Sequence, residues 1–255
     1  MDIATLFVSH GSPMMVLDET PARDFLKGLG GRIGKPRAVL AVSAHWQTLE
    51  PALGFAAWPD KINDIYGFPP ELYQMRYEPP GAPEVAARAA DLLGEPVRRD
   101  PGAGIDHAIW SVMSLIWPDA DVPVVPLSVL RGPGAREHWE LGRRLRPLVA
   151  EGVLVMGTGA ATHGLEDYFR RPAGGPVEPH VQEFTDWLAR TAEAGLTESL
   201  LNYRRLAPEA GRNHPTEDHL MPFFVALGAA SGGKARRLHH SVDSGILAMD
   251  AYGFP

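Results

Sequence analysis

Two apolar runs in this chain end in the same way. Residues 4–8 lead into Ser9-His10-Gly11-Ser12-Pro13, and residues 38–42 lead into Ser43-Ala44-His45-Trp46. A short, continuous apolar run bounded by turn signals reads as a strand buried on both faces, often in a parallel sheet. In open α/β sheets, ligands bind beyond the carboxyl ends of such strands. A single histidine at a strand end is ordinarily structural. Two strands that each deliver one to the same edge point to a metal site.

Composition narrows which metal chemistry is open. The chain has 255 residues and no cysteine, so thiolate ligands and disulfides are excluded. Any bound metal must use His, Asp, Glu or backbone oxygen. The net charge is -7 and there is no basic run, which argues against nucleic acid as the main partner. No stretch is apolar enough to span a membrane. The first residues lack the basic and long apolar regions of a signal peptide, so a cytoplasmic location is expected. No repeat, low-complexity tract or linker divides the chain, which is read as one domain over residues 1–255.

The chain in order supplies further candidates. Thr20 as N-cap and Pro21 at the first helical position predict a helix to about residue 29, stopped by Gly30-Gly31. A third strand is predicted over residues 54–58. Six prolines then interrupt residues 59–83, with Tyr66, Phe68, Tyr73 and Tyr77 among them. This is either a surface loop stitched down by aromatics or a pocket wall. Ordered long loops over a rigid sheet carry binding residues, and an aromatic wall suits a flat apolar substrate. Residues 83–93 form a helix ended by Gly94, and residues 97–99 a short strand. In Gly104-Ile105-Asp106-His107, Asp106 sits near a helix N-cap and His107 in the first turn, where the helix dipole disfavours imidazolium. A capping or packing role is the alternative for His107.

Residues 122–129 read as a buried strand. Residues 135–148 read as a helix carrying His138 as an ordinary surface residue. Residues 153–159 form a strand, and His163 follows it, the third histidine past a strand end. Helical segments are predicted over residues 180–194 and 196–206. His214 and His219 lie in a polar, proline-containing turn before an apolar helix over residues 223–230. They cannot share a helix face across Pro215, so at most one need be a ligand. Residues 234–242 and 246–252 read as closing strands. The constellation is therefore His10, His45, His163 and His219, with His107 and His214 similar in setting. Neutral imidazole suits Zn(II) and Fe(II). Gly157-Thr158-Gly159 lacks the rest of a phosphate-binding fingerprint, and neither Ser9 nor Ser12 sits in a G-x-S-x-G elbow.

Five motifs now stand in order: Ser9-His10-Gly11-Ser12-Pro13, Ser43-Ala44-His45-Trp46, Gly104-Ile105-Asp106-His107-Ala108-Ile109-Trp110, Thr162-His163, and the segment from His214-Pro215 to His219-Leu220-Met221-Pro222. Together with Ile65-Tyr66-Gly67-Phe68-Pro69 they resemble the 4,5-DOPA extradiol dioxygenase family, of the LigB type (class III extradiol ring-cleavage dioxygenases). The likeness covers essentially the whole chain and is weakest over residues 164–212. It implies a single α/β domain with a central mixed sheet flanked by helices. It implies one divalent metal held by His10, His45 and His219, with His163 either a fourth ligand or an acid-base beside the metal. His107 matches the family's histidine near the substrate. Ser12, Tyr66, Phe68 and His214 are the expected substrate contacts. The implied reaction opens a catechol with O2 to a semialdehyde, with Fe(II) for activity and Zn(II) possible in the isolated protein. An all-histidine set departs from the two-histidine, one-carboxylate triad of many extradiol enzymes. A monomer or small homo-oligomer is expected. Two other classes are weighed: a zinc hydrolase with His107 or Glu217 as base, separated by its indifference to oxygen, and a Memo-like binding protein on the same scaffold.

Overall fold

The computed structural model describes residues 3–255 apart from Glu95, Ala173 and Gly233. Among the described residues, ten strands run in chain order: β1 (Thr5–Ser9), β2 (Ala38–Thr48), β3 (Ala52–Gly54), β4 (Arg98–Asp100), β5 (Val124–Leu130), β6 (Val153–Gly159), β7 (Arg236–His239), β8 (Val242–Asp243), β9 (Leu247–Ala248) and β10 (Ala251–Phe254). Eight of them form one mixed sheet in the order β4-β3-β5-β2-β6-β1-β10-β7, and β8 and β9 pair separately. The central ladders β1·β6, β2·β6 and β2·β5 are parallel. β10 and β7 close one side antiparallel. The carboxyl ends of β1, β2 and β6 therefore lie together at one edge.

Among the described residues, twelve α-helices connect these strands: α1 (Pro21–Ile33), α2 (Pro70–Gln74), α3 (Pro83–Leu93), α4 (His107–Ile116), α5 (Ala135–Leu145), α6 (Pro147–Ala150), α7 (Leu165–Phe169), α8 (Pro179–Glu193), α9 (Thr197–Leu201), α10 (Tyr203–Leu206), α11 (Ala210–Asn213) and α12 (Met221–Ala229). The two-residue period of a strand sends alternate side chains to opposite faces. Leu40 and Val42 thus join one core with Val155, Phe223 and Leu188, while Val39 and Ala41 join the other with Met156, Ile109 and Leu26. This single α/β domain has its mixed sheet flanked by helices, and both its faces are covered, as the apolar runs require.

Two helices are entirely buried, one apolar on every side and the other apolar but for His107, Ser111 and Ser114. They are α4 on one face of the sheet and α12 on the other. A helix hydrophobic on every side belongs in the interior. Both pack against β6, and both begin at the edge where β1, β2 and β6 end. Among the described residues no helix is long and apolar enough to cross a membrane.

Several elements differ from the sequence expectation. Helix α1 continues through Gly30-Gly31 to Ile33, and Gly34, at φ +74°, ends it. A Cβ on Gly30 would lie 2.2 Å from the Ile116 carbonyl oxygen. That glycine serves the close crossing of α1 on α4, not helix termination. β3 covers Ala52–Gly54 rather than residues 54–58, and the Phe55 amide, bonded to the Asp100 carbonyl, closes its parallel ladder with β4. The segment expected as one helix over residues 135–148 divides at Pro147 into α5 and α6. The two expected closing strands are four short ones. His138 is fully buried, not on the surface. Its Nδ1 donates to the Gly134 carbonyl at 2.7 Å, and its Nε2 accepts from the Leu130 amide at 2.9 Å. It ties α5 to the end of β5.

Candidate active site

His10 leaves the sheet directly after β1. Its Nδ1 lies 3.3 Å from Thr158 Oγ1, and that hydroxyl gives its own proton to the Ala108 carbonyl at 2.8 Å. Thr158 therefore accepts from Nδ1–H, and His10 Nε2 is left with a bare lone pair. His45 is not past the end of its strand, as the sequence suggested, but inside it. β2 pairs with β5 up to Ser43 and resumes at Gln47, so three residues bulge out of the ladder. A bulge re-aims the side chain it carries. Here it turns His45 toward His10.

His219 comes from the turn before α12. Its Nδ1–H donates to the Asp218 carboxylate, which fixes the Nε2 lone pair outward. A Cβ on Gly159 would sit 2.1 Å from the His219 carbonyl oxygen, which instead accepts the Ala160 amide at 2.8 Å. Only glycine at the end of β6 lets the His219 turn come this close. Three Nε2 atoms then converge. His45 Nε2 is 3.2 Å from that of His10 and 3.3 Å from that of His219.

The electrostatics favour neutral rings. Burial, then the charges of His45 and His219, hold His10 well below the usual imidazole range. His45 faces two cavities that open on either side of it, yet the surrounding protein, with His107 and His219, holds it down to about 3. Burial alone would raise the Asp218 carboxyl, but its hydrogen bond to His219 outweighs that and brings it below the usual range. Two of the three converging nitrogens carry no proton, and a single proton on His45 Nε2 satisfies at most one neighbour. A divalent cation satisfies all three. Nitrogens at about 2.0–2.1 Å from one tetrahedral centre stand about 3.3 Å apart, which matches the spacing found here. The residues present fit the metal.

His107 opens α4 on the other side of His45, with ring centroids 4.1 Å apart. Asp64 holds it twice, accepting the His107 backbone amide at 2.9 Å and Nδ1–H at 2.8 Å. Nε2 of His107 is thereby left free of that partner. Asp106 caps the same helix through the Ala108 and Ile109 amides and accepts Ser43 Oγ at 2.6 Å. Burial raises the Asp106 carboxyl to about 6. Ser43 Oγ also accepts the His45 amide at 3.1 Å. One short network thus fastens the bulge of β2 to the start of α4.

His10, His45, His107 and His163 line a cavity of about 460 Å³. Residues 4–255 match the family described as the catalytic LigB subunit of aromatic ring-opening dioxygenase. The chain belongs to the LigB family. It is an aromatic ring-opening dioxygenase, an enzyme that uses an aromatic substrate and O2 and depends on a metal. It is 39% identical to a 4,5-DOPA dioxygenase extradiol of Beta vulgaris, over 98% of this chain and 96% of that one. It is 36% identical to the Escherichia coli (strain K12) protein of the same name, over 96% and 92%. A crystal structure of an uncharacterized protein from Escherichia coli K12 superposes with a TM-score of 0.80 at 29% identity, covering 98% of this chain and 99% of that one.

Within this LigB fold, the expected site residues fall into three groups. His10, His45 and His219 form the converging trio, and His107 stands beside it. His163 lies parallel to the His219 ring, with centroids 3.4 Å apart, and its nitrogens belong to neither cluster of close ligand atoms. Burial, then His219, keeps it neutral. Ser12, Tyr66 and Phe68 line the cavity. His214 does not. It is fully buried against Phe184 and Tyr203, its Nε2 donates to the Ala161 carbonyl at 2.8 Å, and burial lowers it to about 4. It supports the loop carrying Thr162 and His163 from behind.

Sequence reasoning passed over Asp64, Asp218, Ser43 and Thr158. Asp218 immediately precedes a candidate ligand, which was a usable signal. Asp64 lies far from His107 in the chain and gave none. The aromatic residues Tyr168 and Phe169 of α7 also line the cavity, from the region where the family likeness was weakest.

Proposed function

We propose that this LigB enzyme is an extradiol dioxygenase that opens a catechol with O2 to a muconic semialdehyde, with Fe(II) held by Nε2 of His10, His45 and His219. The observation that carries this reading is the convergence of Nε2 of His10, His45 and His219 beside an aromatic-rimmed cavity that His10 and His45 line together with His107. Bound iron supplies the redox chemistry and acidifies the diol hydroxyls, as a metal acidifies bound water.

The chain's own groups do the rest. His107 Nε2 takes a proton from the diol, while Asp64 keeps the other ring nitrogen protonated and stabilises the resulting imidazolium. His163, neutral and stacked on His219, is the second acid-base candidate at the cavity wall. Phe68 and Ile65 give a flat ring apolar surface, and Tyr66 and Phe169 stand at the mouth, 97% and 78% exposed. Both atoms of O2 end in the product, so one O2 is consumed per ring opened.

The test is oxygen uptake by protein reconstituted anaerobically with Fe(II), against a panel of substituted catechols. A coloured semialdehyde should form with one O2 per ring, and zinc-loaded protein should be inert. Equal turnover under argon, or with zinc, would favour the hydrolase reading and overturn this one.

A further inference from the structure

A second cavity of about 430 Å³ adjoins the first, and Ser12, Met14, Tyr168 and Met249 belong to both walls. Two of these four are methionines, unbranched side chains that change rotamer at low cost, so the boundary between the lobes is soft. The second lobe is lined on one side by Asp18 and the start of α1, and on the other by Ser241, Asp243 and Ser244. Among the described residues neither lobe is lined by any Lys or Arg.

The polar groups of this lobe are set to accept. Asp243 takes hydrogen bonds from Tyr168 Oη at 3.3 Å and Ser244 Oγ at 2.9 Å, which leaves carboxylate lone pairs unused. Asp18 has no hydrogen bond or ion pair from its side chain to any described residue, and it is exposed. The helix start offers an anion little. Pro21 has no N–H, and the Thr20 hydroxyl already accepts the Arg23 amide at 3.2 Å. A carboxylate entering here would face two others, whereas an ammonium group would find partners and balance their charge.

We propose that the second lobe is a side-chain subsite of the ring-opening centre, and that it selects catechols bearing a cationic amine over neutral or carboxylated ones. The inference rests on the catechol reading above and adds the class of substituent.

Three probes share a two-carbon tail and differ in charge: ethylcatechol, its aminoethyl analogue dopamine, and dihydroxyphenylpropionate. Anaerobic calorimetry on the iron-loaded protein measures their binding, and oxygen uptake measures their turnover. Dopamine should bind about tenfold more tightly than ethylcatechol, the size expected for one partly screened ion pair. Dihydroxyphenylpropionate should bind more weakly than either. Asp18→Asn and Asp243→Asn should each narrow the dopamine preference, and Asp119→Asn, on a remote surface, should leave it unchanged.

Equal binding of all three probes, or tightest binding of the carboxylate, overturns the subsite. So does an undiminished dopamine preference in the Asp18→Asn, Asp243→Asn double variant. Should either variant fold poorly, the ranking in the unmodified protein and its loss at high salt still decide the question. A dopamine preference in binding without turnover of any catechol would refute the reaction and keep the subsite. Turnover with no preference would do the reverse.

Discussion

Three histidines of the site, His10, His107 and His219, are each held by a partner on the far nitrogen. Thr158 and Asp218 take the Nδ1 protons of His10 and His219, and Asp64 takes that of His107. Such partners orient a metal ligand and raise its basicity. Asp218→Asn should therefore weaken metal affinity by about 10–100-fold without unfolding the chain, measurable by chelator competition. An unchanged affinity would show that His219 needs no anchor. His107→Phe should keep its metal yet lose about 10²-fold or more in single-turnover rate, as expected when a positioned acid-base is removed. Asp64→Asn should fall in the same direction by less, since an amide still accepts from Nδ1–H but carries no charge. Full activity in metal-replete His107→Phe would leave His163 as the remaining acid-base candidate.

At the scale of elements, the site depends on three pieces of backbone that bring the proposed ligands together from distant parts of the chain. The bulge of β2 aims His45, the end of β1 presents His10, and Gly159 admits the turn carrying His219. Gly159→Ala should force that turn away, because the added methyl meets a carbonyl oxygen, not a mobile side-chain end. The expected result is loss of metal together with a lower melting temperature. A variant with wild-type metal content would mean that the turn relaxes without moving His219. Ser43→Ala should cost about 1–3 kcal/mol in chemical unfolding, because it leaves the buried Asp106 carboxyl and the His45 amide without their shared hydroxyl. These contacts were hard to read in advance. The spacing of Ser43, His45 and Asp106 says nothing about a bulge, which appears only when β2 is laid beside β5.

Over the whole molecule, buried neutral histidines make stability depend on pH. His138 has its acceptor nitrogen committed to the Leu130 amide, and burial holds it below the usual imidazole range. The unfolded chain therefore takes up a proton near pH 6.5 that the folded chain refuses, so stability is full above that pH and falls as pH drops through it toward the folded value. Metal-free protein should lose unfolding free energy between about pH 7 and 5, and His138→Gln should lose less over that window. An identical pH dependence in the variant would remove His138 from the account. The sequence by itself determined the apolar runs that must become a buried sheet, the exclusion of thiolate ligands, and the histidines that follow β1 and precede α12, because these depend on residue type and local period. His138 and His214 were misplaced, since burial of a histidine is decided by what packs on it from elsewhere. Only the tertiary structure decided which imidazoles converge, which carboxylates hold them, and that two cavities share a wall. Those facts arise where β1, β2, β6, α4 and α12 meet, and each involves residues too far apart in the chain for any local pattern to register.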